Sequence, residues 1–483
     1  MAFCWCSMVI LIYRNILLGK LKMALVGIIT MIIGLGIRGI NINRITMIIF
    51  ILSAILNIHV TELGILKTGV GIFNGLLEVT PLTMYIESYI YIIAGVSMVV
   101  IGSEKVEKEY SIVLLLIVLG MSSLISSNDI ISILLAIELQ TLGLYIIASI
   151  YRESESSTSA GLKYYLLGAL SSCFIGLGSS MIYGITGITN IEEINILINI
   201  NSEINILLPI VLITVGLLFK IGAAPFHNWL ADVIDGVPTI ISTWLAVVSK
   251  ISILILLYIL YNNIFIFINN GLLLISIILS LIVGSLVGVV QYRIKRLLAY
   301  SSIAHAGYMI LGIIINNNLG LSALLLYIVQ YTITTLNIFI IMVSYGEIIE
   351  STNKYSPIEN ISQLIGKYKI NKMLALSLTI CLLSSAGIPP FIGFFGKLNI
   401  LYSAIDSGYY MITLIAVVTS VISAFYYIKI VKVLYFHPIK INNTKAISSE
   451  KAIAISILTL IIVLFIVNPS DIMNTIYIVS NSI

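Results

Sequence analysis

The stretch Ala386-Gly387-Ile388-Pro389-Pro390-Phe391-Ile392-Gly393-Phe394-Phe395-Gly396-Lys397 sets two prolines and then a lysine inside an apolar run. Proline removes one backbone donor and clashes with the carbonyl four residues back, so a helix crossing this stretch must break. In lipid the freed carbonyls need water or a polar partner, so such a break lines a cavity or packs inside protein. A second stretch, Lys220-Ile221-Gly222-Ala223-Ala224-Pro225-Phe226-His227, follows the same plan. The two share Gly-x-x-Pro-Phe, 165 residues apart. A kink with no further role is the plain alternative. A lysine beside each break argues against it.

The surrounding chain explains why these breaks matter. Its 483 residues are 59% hydrophobic and 10% charged, with a mean hydropathy of +1.12. A soluble domain carries about 25% charged residues. The composition excludes a soluble globular protein, a disordered chain and a nucleic-acid binder, and places most of the surface in lipid. The net charge of +4 is too small to define a polyanionic partner. Cys4, Cys6, Cys173 and Cys381 are too few and too scattered for a disulfide framework or an iron–sulfur cluster.

A bilayer-crossing helix needs about 20 mainly apolar residues. Apolar runs predict fourteen spans, near 23–38, 45–60, 84–102, 110–126, 128–150, 160–186, 206–224, 239–262, 268–290, 297–316, 319–346, 373–403, 409–435 and 452–468. The expected fold is all-α and polytopic. The segment 1–22 reads as an interfacial or extra helix. The odd-numbered loops gather 18 of the 25 Lys and Arg residues, among them Lys163, Arg293, Lys295, Arg296 and Lys367. The even loops hold Lys67 with acidic residues such as Glu192 and Glu193. This asymmetry supports the span count and puts both termini opposite the basic loops. Five spans separate the two breaks. That number is odd, so the breaks belong to units of opposite topology. The reading is two inverted five-helix repeats, at 106–265 and 266–436, between N-terminal helices at 1–105 and a C-terminal helix at 437–483. Broken helices at matching positions of inverted halves point to a transport path.

Four ionisable residues stand out inside the predicted spans: Glu138, Lys220, Lys250 and Lys397. A charge at the bilayer centre costs at least ~2.5–3.5 kcal/mol on insertion scales. Each alone could be half of a buried ion pair that staples helices. One glutamate cannot neutralise three lysines, so at least two must be hydrated or neutral. A hydrated line of titratable groups is suited to proton transfer. His305 could relay protons between the halves, or serve as a hydrogen-bonded structural histidine. His227, near Asp232 and Asp235, is expected to order a loop after the first break. Tyr327, Gln330, Tyr331 and Asn337 on the eleventh span could hold water or bridge helices. No dinucleotide fingerprint, Walker motif or haem-attachment motif is present, so no cofactor or metal is expected in this chain.

These motifs, with Asn128-Asp129, Ala160-Gly161-Leu162-Lys163-Tyr164-Tyr165 and Arg296-Leu297-Leu298-Ala299-Tyr300-Ser301-Ser302, resemble the subunit 2 family of NADH dehydrogenase, respiratory complex I. The resemblance covers nearly the whole chain from about residue 23. The antiporter-like subunits 4 and 5 share the broken-helix plan. The stretch Asp232-Val233-Ile234-Asp235-Gly236-Val237-Pro238-Thr239 is similar to subunit 2, and Lys397 stands where subunit 4 typically carries Glu. Residues 1–22 are unlike the family's start. The resemblance implies that Glu138 pairs with Lys220, that Lys250 connects the halves with water and His305, and that Lys397 is the terminal proton site. It implies proton translocation driven by electron transfer from NADH to ubiquinone in other subunits, which would hold the NADH site, flavin and iron–sulfur clusters. It also implies partners in subunit 4, subunit 4L, the lateral helix of subunit 5 and lipids, and a place in the mitochondrial inner membrane. Abundant Ile, Asn, Tyr and Lys fit an AT-rich mitochondrial genome. The alternatives are an autonomous multi-subunit-type cation/proton antiporter and a non-pumping scaffold of the complex.

Overall fold

The computed structural model describes residues 42–62, 69–100, 108–200, 206–264, 270–349, 356, 358–436 and 446–481. The expected span 23–38 and the segment 1–22 lie outside them, as do Cys4, Cys6, Lys67 and Lys105. Nearly every apolar run in the described residues is a helix, because lipid offers no other partner for backbone N–H and C=O groups.

The first helix, α1, is Ile42–Glu62. A short antiparallel hairpin follows, β1 Val70–Ile72 and β2 Leu77–Val79. Next come α2 Pro81–Met98, α3 Lys108–Ile125, α4 Ile130–Ser149 and α5 Glu155–Thr186. A short α6, Ile191–Ile200, leads to α7 Leu207–Ile221 and α8 Asn228–Gly236, on either side of the first break. Helix α9, Thr239–Asn263, contains one π-helical turn at Trp244–Val248. Then follow α10 Gly271–Val290, α11 Ile294–Ile314 and α12 Asn318–Ile349. The second break separates α13 Lys372–Ala386 from α14 Ile392–Asp406. Helices α15 Tyr410–Phe436, α16 Ser449–Leu464 and α17 Ser470–Ser480 complete the described chain. Seven of these helices are long and apolar enough to cross a membrane: α4, α5, α9, α10, α11, α12 and α15.

The run 373–403 breaks where the prolines predict: Gly387 adopts a left-handed conformation and the prolines cannot continue α13. Other elements differ from the sequence expectations. The segment after His227 is the helix α8, where a loop was expected. The hairpin and α17 were not anticipated, since each is shorter than a bilayer span.

The two ends of the bundle differ chemically. At one end Lys163 bonds Asp232 at 3.1 Å, and Asp235 accepts from Arg293 at 2.7 Å and Arg296 at 2.9 Å. At the other end the hairpin pairs with the start of α4: Glu78 N–H donates to Ser126 and Asn128 N–H donates to Leu76. Glu78 and Glu192 face one another there, beside a cavity of about 480 Å³ that Asn128, Asn262 and Asn263 also line. Helices approach closely where side chains are small. A Cβ on Gly284 of α10 would lie 2.6 Å from the backbone nitrogen of Ala304 on α11.

Two predictions follow from this packing. A Cβ at position 393 would sit 1.7 Å from the Ser384 carbonyl oxygen, which is backbone and cannot yield cheaply. Gly393→Ala should destabilise the second break by about 1–3 kcal/mol or more, read as a lower melting temperature or yield of the assembled protein. Burial first, and the neighbouring Glu192 second, push the Glu78 carboxyl up from 4.5 to about 7. Its protonated form is favoured by the fold, so its stabilising contribution is present below 4.5 and lost as pH rises through about 7. Amide exchange at the hairpin should accelerate across that window, and Glu78→Gln should flatten the profile.

Candidate functional site

The two breaks are built alike. Gly222 N–H donates to the carbonyls of Leu218 and Phe219, Ala223 N–H to Leu218, and Phe226 N–H to Ala223. Shifted by 165 residues, Gly387 N–H donates to Leu383 and Ser384, Ile388 N–H to Leu383, and Phe391 N–H to Ile388. Gly222 and Gly387 have φ values of +78° and +87°, which a side chain would resist. The shared Gly-x-x-Pro-Phe pattern thus encodes one helix-ending motif, used twice.

The side chains then treat the breaks differently. Lys397 reaches back from α14, and its Nζ donates to the Ala386 carbonyl at 2.8 Å. That carbonyl ends α13 and has no further turn to accept it. At the first break the Phe219 carbonyl accepts from the indole of Trp229 at 2.9 Å. Trp229 also stacks between Tyr164 and Phe219, at ring separations of 4.8 and 5.7 Å. The Lys220 ammonium is buried with no hydrogen-bonding partner among the described residues. Glu138, half-buried on α4, is the carboxylate whose charge acts on it. No ion pair within 4.0 Å joins the two among the described residues.

Between the breaks lies a set of buried polar groups. Lys250, 2% exposed, follows the π turn of α9 and donates to Ser302 Oγ at 3.0 Å. The π turn displaces the helix carbonyls, and Tyr331 OH donates to that of Ala246 at 2.8 Å. Three residues after Ser302, the buried ring of His305 has Tyr327 OH at 2.7 Å on Nδ1 and Tyr427 OH at 3.3 Å on Nε2. The charges of both Lys250 and Lys397 act on this ring. Tyr308, stacked on Tyr327 at 5.6 Å, carries the Lys397 ammonium 5.6 Å from its ring centre. Lys250, Ser302, His305, the tyrosines and Lys397 therefore form one buried cluster. Gln140 ties this cluster to the Glu138 helix: its Nε2 donates to the Ser249 carbonyl and its Oε1 accepts from Ser252, both at 3.0 Å.

The structure thus unites Lys250, His305 and Lys397, and sets Lys220 with Glu138 at the first break. The sequence survey passed over one buried carboxyl. Glu87 lies within the expected span 84–102, is 2% exposed, and accepts from Asn57 Nδ2 at 3.3 Å. A lone glutamate in an apolar run was the signal. Ser302 and Tyr427 were also missed as partners, because nothing local distinguishes them from other hydroxyls.

The family described as NADH:quinone oxidoreductase/Mrp antiporter, TM matches residues 127–423, which includes both breaks and Glu138, Lys220, Lys250, His305 and Lys397. The NADH-ubiquinone oxidoreductase chain 2 of Rhizopus oryzae is 41% identical, over 95% of this chain and 99% of its own. The NADH-quinone oxidoreductase subunit N of Paramagnetospirillum magneticum is 31% identical, over 95% of both chains. Among solved structures, a chain of respiratory complex I from Thermus thermophilus superposes with a TM-score of 0.79 at 26% identity, covering 94% of this chain and 98% of that one. The matched length, the broken helices and the buried lysines agree: the chain belongs to the family of antiporter-like membrane subunits that NADH:quinone oxidoreductases share with Mrp antiporters.

Proposed function

We propose that this chain is a proton-translocating membrane subunit of NADH:ubiquinone oxidoreductase, complex I, and that it moves protons across the mitochondrial inner membrane while electrons pass from NADH to ubiquinone in other subunits. The observation that carries this reading is the buried run from Lys250 through Ser302 and His305 to Lys397. Between its two ammonium donors lie a hydroxyl and an imidazole that can both accept and donate, as proton transfer needs.

The relay begins at Glu138 and Lys220. The opposite charge of Glu138 keeps Lys220 protonated. Weakening that interaction releases the Lys220 proton towards Lys250. From Lys250 it passes by Ser302 and His305 to Lys397, the terminal site. Water completes the gap between Lys220 and Lys250. The basic end of the bundle faces the matrix, following the positive-inside rule.

The fold assigned to this reading has fourteen spans, with inverted repeats at 106–265 and 266–436 and flanking segments at 1–105 and 437–483. The identical hydrogen-bond pattern at the two breaks supports it. Subunit 4, subunit 4L, the lateral helix of subunit 5 and lipids cover the apolar outer faces. The NADH site, flavin, iron–sulfur clusters and ubiquinone belong to partner subunits, and this chain holds no redox centre. An AT-rich mitochondrial genome encodes it.

Lys220→Ala and Lys397→Ala should each assemble and each lower the proton-to-electron ratio in sealed vesicles. A full ratio in both assembled variants overturns the reading. Ser302→Ala removes one hydrogen bond to an ammonium, worth about 1.5–3 kcal/mol. It should slow coupled proton movement roughly tenfold or more, measured as the rate of vesicle acidification.

A further inference from the structure

Three polar side chains on α12 are buried with polar atoms unpaired among the described residues. Both polar atoms of Gln330, the Oδ1 of Asn337 and the hydroxyl of Tyr345 lack a hydrogen bond, and all three residues are 0% exposed. Leaving such a group unsatisfied costs about 1–3 kcal/mol each, and natural interiors relieve it with bound water. The three are spaced by seven and eight residues. At 3.6 residues per turn they stay within about 80° of one another and extend over about 22 Å of helix.

The stripe connects two lysines. At its inner end Gln330 packs on Gly396, where a Cβ would lie 2.4 Å from Gln330 Oε1, and Lys397 is the next residue. In the middle Asn337 Nδ2 meets only the Cys381 sulfur, at 3.2 Å, a weak acceptor. At its outer end the Tyr345 ring lies 5.1 Å from the ammonium of Lys367. Lys367 sits on the short 3₁₀ turn Lys367–Lys369, outside the spans and at the basic end. It is 2% exposed, and burial draws its ammonium down to about 7. It therefore exchanges protons near neutral pH. Ile341, 0% exposed, leaves one apolar step between Asn337 and Tyr345.

We infer that the Gln330, Asn337 and Tyr345 face of α12 lines a file of water between Lys367 at the basic end and Lys397 in the membrane interior, a second proton entry that bypasses Lys220. The inference rests on the proton-translocation reading. The file would let Lys397 reload from its own side of the molecule. Ile341 is its narrow apolar step, wetted only transiently.

The test uses the assembled respiratory complex. A high-resolution map should show ordered water within hydrogen-bonding distance of the Gln330 amide and of Asn337 Oδ1. Well-ordered side chains with dry surroundings overturn the file. In vesicles, Asn337→Leu and Lys367→Met should each lower the proton-to-electron ratio part of the way towards the level of Lys397→Ala. If Asn337→Leu fails to assemble, Lys367→Met on the outer turn carries the measurement. A lowered ratio in Lys397→Ala with a full ratio in Lys367→Met rejects the file and leaves the proton reading standing. A full ratio in Lys220→Ala and Lys397→Ala rejects the proton reading itself, and the water density then decides the file alone.

Discussion

The bond from Lys397 Nζ to the Ala386 carbonyl is the contact on which the second half of the molecule depends. The prolines end α13 inside an apolar environment, where an unaccepted carbonyl has no water to turn to. The lysine answers that carbonyl, and the carbonyl gives a buried ammonium a partner. Neither group would be tolerable alone. The same pair fixes where α14 begins, and so where Gly396 meets Gln330 and where Tyr308 lies under the lysine.

The first break repeats the backbone motif but carries different side-chain contacts. There the Trp229 indole adds a second donor to the Phe219 carbonyl, and the Lys220 ammonium has no hydrogen bond among the described residues and lies under the influence of Glu138. Two identical backbone motifs thus hold their lysines differently. Lys397 is anchored to its break, whereas Lys220 is not. A cation without a fixed partner responds more readily to a change in a neighbouring charge than one held by a short bond.

The halves are joined outside the membrane as well. Helix α8 is tied to the first break through Trp229 and to α11 through Asp232 and Asp235, which accept from Arg293 and Arg296. Exposed ion pairs of this sort contribute about 0–1 kcal/mol each. The Asp235 side chain is only 9% exposed and accepts from both arginines, so this pair of bonds is the stronger part of the network. The buried counterpart is Gln140, which binds α9 from α4 beside Lys250.

Sequence alone determined the membrane setting, the helices, both break points and the identity of the isolated charges. These follow from composition, run length and proline placement, which act locally and need no knowledge of what packs where. Glu138, Lys220, Lys250, Lys397 and His305 were legible because ionisable residues are conspicuous in an apolar chain. Only the tertiary structure decided which of them touch. That Ser302 receives Lys250, that Tyr327 and Tyr427 flank His305, and that Trp229 rather than Lys220 donates to the Phe219 carbonyl depend on contacts between separate helices. The orphaned amides of Gln330 and Asn337 appear only there too, because whether a buried polar group is satisfied is a property of its neighbours in space and not of its own residue type.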